Sequence, residues 1–348
     1  MRYLLTIIAG LSLAYGTGLT PPQWGYIDRT GSWVIQPRFS EAGGFDSAGR
    51  ARVKFVLKEA LIDRTGEVRS DTAGKLIASG FSEGLALIRT SWNFKYGWMD
   101  TSGHVVAMAA GDKAREFHCS RAWVQNSDGT WSSVNRNDYT KAAAQYDAVD
   151  DFSEGVAAVG IAILIDPGDE EEPPIFDWKF GFVDTSMRKL VDLEFEAVRG
   201  FSEGRAAHKL HGKWGYIDQS GNTVIARQYD DADKFSEGLA CVQIGGRCGC
   251  INRAGALVIP ATFHGMRPFS EGLAPVAQDN KWGYIDTTGR LVIPTTFDDA
   301  QPFSEGLAPV KVSGMWGYVD KTGKLVIPAE FFGAVGFSMG LAAATKEQ

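Results

Sequence analysis

Lys281-Trp282-Gly283-Tyr284-Ile285-Asp286, then Thr287-Thr288-Gly289-Arg290, then Leu291-Val292-Ile293-Pro294, is the stretch on which the fold turns. Two short runs rich in aromatic and β-branched residues flank a tetrapeptide whose third residue is Gly. Such a run-turn-run pattern is that of a β-hairpin, with Gly289 supplying the φ > 0 residue that a three- or four-residue loop needs. Asp286 can accept backbone N–H groups across the turn. Pro294 is expected to end the second strand, since Pro cannot continue a hydrogen-bonded ladder; Pro260 and Pro328 occupy the same place. No stretch shows helical periodicity. The class is all-β.

The motif repeats. Trp214, Cys248, Trp282 and Trp316 open copies spaced 34 residues apart, and Phe180 opens another 34 residues before Trp214. Earlier copies start at Trp24, Glu59, Tyr96 and Trp131. A second landmark, Phe-Ser-Glu-Gly, begins at Phe81, Phe152, Phe201, Phe235, Phe269 and Phe303, with Phe337-Ser338-Met339-Gly340 as a variant. It falls 21 residues after the Trp position in units 131, 180, 214, 248, 282 and 316. Two-residue turns such as Gly245-Gly246 and Asp279-Asn280 lead from the strand after Ser-Glu-Gly into the next Trp-Gly strand. Nine units tile residues 17–348, and a fixed period of this length means a repeat architecture rather than two unrelated domains.

These residues resemble the bacterial WG-repeat (KWG-type) proteins, over roughly residues 23 to 348. The resemblance implies an all-β repeat array with no established common activity. Units 59, 131 and 248 depart most from the pattern.

One unit is too small to bury a stable core alone, so units must stack. Stacking would align the Trp-position side chains Trp24, Trp131, Trp214, Trp282 and Trp316 in a core row. The expected architecture is an open, curved superhelix of about nine ~34-residue β-hairpin repeats, because a four-stranded propeller blade usually takes ~40 residues or more. The alternative is a closed propeller-like ring, in which the first Trp strand pairs with the last strand of the chain.

Composition narrows function. Thirty-five Lys and Arg against 42 Asp and Glu give a net charge of −7, with no basic run, which argues against nucleic acid as a partner. Residues 1–16 combine Arg2, an apolar run and the small pair Ala14 and Gly16, the pattern of a secretory signal peptide. The expected location is therefore periplasmic or extracellular, without a membrane span in the mature chain. The five histidines (His104, His118, His208, His211 and His264) form no metal-binding spacing. Asp286, Glu271 and Glu305 are turn residues of the repeat rather than a calcium loop. No nucleophile motif or phosphate-binding loop is present. No catalytic residue, cofactor or metal is expected.

What remains points to binding. The Phe180 unit begins 49 residues after Trp131, so about 15 residues are inserted near 161–176. The insert contains Asp166, Asp169, Glu170, Glu171 and Glu172 among prolines, and such loops on repeat arrays serve partners. Trp92, Trp123 and Trp178 lie outside the Trp phase and are candidate surface aromatics. The function read from these features is a non-enzymatic exported scaffold for a protein or glycan. The alternative is a structural element joining other chains through its repeat ends. With Gly245-Gly246 as a two-residue turn, Cys241 faces Cys250 at a non-hydrogen-bonded site, where an exported chain could form a disulfide; the alternative is two small buried thiols.

Overall fold

The computed structural model describes residues 23–55, 58–68, 75–90, 94–168 and 172–346. These residues form nine antiparallel sheets, seven of four strands and two of three, and no helix is found among them. We number the sheets as blades in chain order. Blade 1 combines Gly333–Ala334 and Ala342–Lys346 from the C-terminal end with Gln23–Ile27 and Trp33–Phe39. Blades 2 to 9 open at residues 41, 75, 113, 148, 197, 231, 265 and 299.

The pairing of Gln23–Ile27 with Ala342–Lys346 overturns the expected open superhelix. Gln23 faces Lys346, Gly25 faces Ala344 and Ile27 faces Ala342. The two ends of the array thus complete one sheet, and the nine blades close into a ring, a β-propeller. Size was the objection to this, and the blade answers it by economy of connection. In blade 9 the first strand is only Asp299–Ala300, a single residue, Asp298, separates it from blade 8, and Ser313-Gly314 turns the second strand into the third.

The first strand is innermost. In a ring, equivalent atoms of successive blades lie closest where the radius is smallest, and here the Phe-Ser-Glu-Gly turns touch directly. Ser153 Oγ donates to the Phe201 carbonyl, Ser202 to Phe235, Ser236 to Phe269 and Ser270 to Phe303, at 2.7–2.9 Å. Ser304 donates to Phe337, and the Ser338 hydroxyl accepts from the Phe45 N–H at 2.7 Å, carrying the belt across the junction into blade 2. Glu and Gly of these turns both take positive φ, for example Glu271 at 54° and Gly272 at 84°. A Glu in that region is strained. The compensation is visible: Glu271 accepts the Gly306 N–H of the next blade at 3.0 Å, and Glu203 accepts that of Gly238.

The core lies between blades. Tyr284 packs its ring on Phe303 of the following blade at 4.9 Å and donates its hydroxyl to the Gln301 carbonyl at 2.8 Å. Tyr26, Tyr216 and Tyr318 do the same toward Gly43, Asp233 and Val335. The fully buried aromatic is therefore this Tyr, two residues beyond the Trp position. Trp214 and Trp316 are buried, whereas Trp24, Trp131 and Trp282 are half-buried at the edge of the core. Arg199 and Arg267, each just after its blade's first strand, lie over Trp214 and Trp282.

Pro260, Pro294 and Pro328 do not end their strands, which run on to Phe263, Phe297 and Phe331. The fourth strand bulges at Pro, so that Trp282 faces Phe297 while Tyr284 faces Ile293. This is the outer edge strand, where a missing N–H is tolerated and discourages pairing with other chains. The bulge also dictates the Gly of Trp-Gly: a Cβ on Gly283 would sit 2.4 Å from the Ile293 carbonyl oxygen.

Candidate interaction surface

The insert near 161–176 is not a loop. Blade 5 extends its second and third strands into a long hairpin, Val156–Asp166 and Ile175–Asp184. Ile161 faces Lys179, Ala162 faces Trp178 and Leu164 faces Phe176. The first strand of the blade, Ala148–Val149, reaches only to Gly160, and the fourth strand pairs only from Phe180 onward. The outer part of the hairpin therefore projects past its blade on the ring face opposite the Ser-Glu-Gly belt. Neither lateral edge there is paired with another strand among the described residues.

Its side chains are the unusual feature. Ile163, Leu164, Ile165, Ile175, Phe176 and Trp178 are 44%, 53%, 63%, 57%, 44% and 38% exposed. Large apolar side chains gathered this way in the open mark an interaction site. Strand alternation puts Leu164, Phe176, Trp178 and Phe180 on one face, and Trp178 stacks on Phe180 with centroids 5.9 Å apart. Gly160 makes room at the base, since a Cβ there would lie 2.6 Å from the Phe180 ring. That face runs into a crevice of about 190 Å³ between blades 5 and 6, lined by Ala148, Val149, Asp150, Ala158, Phe180 and Val198. The tip is acidic. Asp166 and Glu172 are exposed, Asp166 Oδ1 accepts the Gly168 N–H at 2.9 Å, and residues 163–178 contain no Lys, Arg or His.

Of the other sequence candidates, Asp169, Glu170, Glu171 and Trp92 lie outside the described residues, as does the segment 1–16. Trp123 is not a surface residue. It is 1% exposed, stacks on Phe152 at 5.4 Å and donates its indole N–H to the Asp150 carbonyl at 2.9 Å. The reason is a compensated exchange: Trp123 faces Ser133, whereas at the equivalent place in blade 8 small Pro275 faces Tyr284. The indole takes over the tyrosine's bond to the next blade.

The charged groups elsewhere serve the fold. Asp286 is held down to about 2, first by its hydrogen bond from Thr288. Its Oδ1 also accepts the Thr288 and Arg290 N–H groups. His208, which replaces the Val of the repeat at Val242 and Val276, is fully buried between blades 5 and 6, and burial pushes its pKa down to about 4. Nothing in the spacing of the histidines singled it out; its place on the valine row could have. Among the described residues no three His, Cys, Asp or Glu side chains are placed to hold a metal ion, and no helix is long and apolar enough to cross a membrane.

The geometry defines a repeat protein, a closed ring of nine small blades with one blade extended. The sequence pattern of the WG containing repeat matches residues 24–55, 141–161, 180–214, 214–248, 249–282, 282–316 and 316–348. With more than half its length matched, the chain belongs to the WG-repeat family. Among solved structures it is similar to a eukaryotic initiation factor, at 12% identity and a TM-score of 0.57 over 94% of this chain and all of that one. Weaker likenesses include BamB from Moraxella catarrhalis, at 10% identity and a TM-score of 0.43 over 94% of this chain and all of that one. The computationally designed Ika8 protein stands at 12% and 0.46, over 80% of this chain and 96% of that one. At such identities the likeness is one of fold. No curated protein matches the sequence.

Proposed function

We propose that this chain is a non-enzymatic scaffold that binds a partner protein through the blade 5 hairpin. The exposed apolar side chains on the two faces of the hairpin, Leu164, Phe176 and Trp178 on one and Ile163, Ile165 and Ile175 on the other, carry the reading. Such a cluster costs free energy in water and is stabilised by a partner that covers it. Aliphatic rather than purely aromatic side chains favour a protein over a glycan. The tip sequence from Asp166 to Glu172 is acidic, and Asp177 is paired with Lys179 at 2.9 Å, so the complementary surface is apolar at its centre and carries Lys or Arg where it meets the tip. The signal-like segment 1–16 supports export, with the partner in the envelope or outside the cell.

An assembly role remains the second reading, favoured by the two unpaired lateral edges of the hairpin. The repeat ends themselves pair with each other, so other chains would be joined here instead.

The test replaces residues 162–178 by Gly-Gly, which restores the register seen at Ile244-Gly245-Gly246-Arg247 in blade 7. A photo-crosslinking residue at Ile165 of the full chain should label a partner at a peptide containing Lys or Arg. The shortened chain should fold yet capture none of that partner, and added salt should weaken capture. Equal capture by both chains would overturn the reading. Hairpin-dependent self-association in light scattering would instead favour assembly. N-terminal sequencing of protein from its host should begin at Thr17, and an intact Met1 would refute export.

A further inference from the structure

Blade 7 departs from every neighbour in one respect: its hairpin replaces three repeat residues by cysteine. Cys248 stands at the Trp position, Cys250 at the Tyr position, and Cys241 where blades 8 and 9 carry Pro275 and Pro309. Gly245 and Gly246 take φ of 58° and 78°, the turn conformation that fixes a two-residue hairpin. Ile244 then faces Arg247, and Cys241 faces Cys250. Counting from the turn, this is a non-hydrogen-bonded pair, the closer of the two kinds of cross-strand site.

The thiols converge. Cys241 Sγ and Cys250 Sγ are 4.0 Å apart, and Cys250 is fully buried while Cys241 is half-buried. Their place in the ring is informative. The carbonyl that Tyr284 binds in the next blade is Gln301; the corresponding carbonyl for blade 7 is Arg267, and Cys241 Sγ lies 3.9 Å from it. Replacing Tyr by Cys250 has removed the tyrosine hydroxyl, and the cysteine pair occupies the space.

We propose that Cys241 and Cys250 are a disulfide site, closed when the protein meets a disulfide oxidant. The chemistry is thiol–disulfide exchange. The Cys241 thiolate, the more accessible of the two, attacks the oxidant's S–S bond and expels one thiolate. The Cys250 thiolate then attacks Cys241 Sγ in the mixed disulfide and expels the second. Two electrons pass to the oxidant, and the two protons of the cysteines end on its two product thiols. Cys248, on the same face of the strand two residues from Cys250, is the competing thiol. The hydrogen bond between Cys241 and Cys250, with burial, raises the Cys241 pKa, so closure should speed up with rising pH.

Trypsin makes the assignment clean, because Arg247 lies between the two cysteines. The full chain is equilibrated with oxidised glutathione, its free thiols are alkylated at low pH, and it is digested without reduction. Peptides 235–247 and 248–253 should be recovered joined, two hydrogens lighter than their sum, with fragment ions placing the bond at Cys250. The bond should persist in Cys248→Ser and vanish in Cys250→Ser. Recovery of alkylated Cys241, or fragment ions placing the bond at Cys248, would overturn the proposal on the wild-type chain alone, whether or not the serine variants fold.

Discussion

His208 makes the ring acid-sensitive in a defined window. Its imidazole is fully buried, its Nδ1 has no hydrogen-bond partner among the described residues, and its Nε2 lies 3.3 Å from Arg227 Nη1. The ring packs against Phe195 of blade 5 at 4.6 Å. Burial, and then the nearby guanidinium, oppose the charged form, so the folded-state pKa falls from 6.5 to about 4. Between these values the unfolded chain binds a proton that the folded chain does not. The stability contributed by the neutral imidazole is therefore complete above 6.5 and lost as pH falls toward 4. At roughly 1.4 kcal/mol per pH unit, the interval amounts to about 3 kcal/mol. The perturbation is His208→Val, which installs the residue found at Val242 and Val276. Urea unfolding of both chains at pH 7.5, 6.5, 5.5 and 4.5 gives the assay, with the difference between them isolating this one group. The wild-type chain should lose about 2–3 kcal/mol more than the variant across that range. The same slope in both would show that His208 is protonated in the folded ring, and with it that the contact between blades 5 and 6 is wet.

Four further outcomes test the architecture. Tyr284→Phe should cost about 1–2 kcal/mol in urea midpoint, because it leaves the Gln301 carbonyl unpaired between blades. Gly283→Ala should cost at least ~2 kcal/mol, since its Cβ collides with the backbone bulge of the outer strand. Gly43→Ala, where the nearest atom would be 3.5 Å away, should stay within about 0.5 kcal/mol by the same measurement. A circular permutant that joins Lys346 to Gln23 by a short linker and opens the chain between Asp128 and Gly129 should keep its β-sheet circular dichroism and melt near the parent. Loss of cooperative unfolding in the permutant would contradict a closed ring.

The period, the hairpins and the cross-strand facing of Cys241 and Cys250 were legible because each depends on residues near in sequence. Turn chemistry and strand alternation fix them locally. Closure was not, because it rests on one pairing between Gln23–Ile27 and Ala342–Lys346, whose sequences differ little from those of any third and second strand. The Trp-Tyr order was also ambiguous. Residues two apart share a strand face, and only the approach of the next blade decides that Tyr284 lies deeper than Trp282. The hairpin was hidden by its own tip. Prolines and acids read as a loop, yet Val156 to Ile165 is a nearly unbroken apolar run that the fifteen-residue excess should have extended into strands.

Departures from the repeat sort by whether a neighbour answers them. Trp123 is answered by Ser133, and the lost hydroxyl of blade 4 by the indole N–H of Trp123. Cys250 is answered by Cys241 in the same hairpin. Glu271 in its strained turn is answered by the Gly306 N–H and by Lys321. In each case two changes, or a change and a contact, keep the inter-blade core filled and paired, which is what a closed ring of tightly coupled sheets requires. The aliphatic residues Ile163, Leu164, Ile165 and Ile175 have no such answer among the described residues: they extend past the blade and stay exposed. Under selection for folding alone, exposed aliphatic strands with open edges are a liability that proteins remove by charge, bulge or Pro. Their retention beside an acidic tip is what the proposed partner surface would account for.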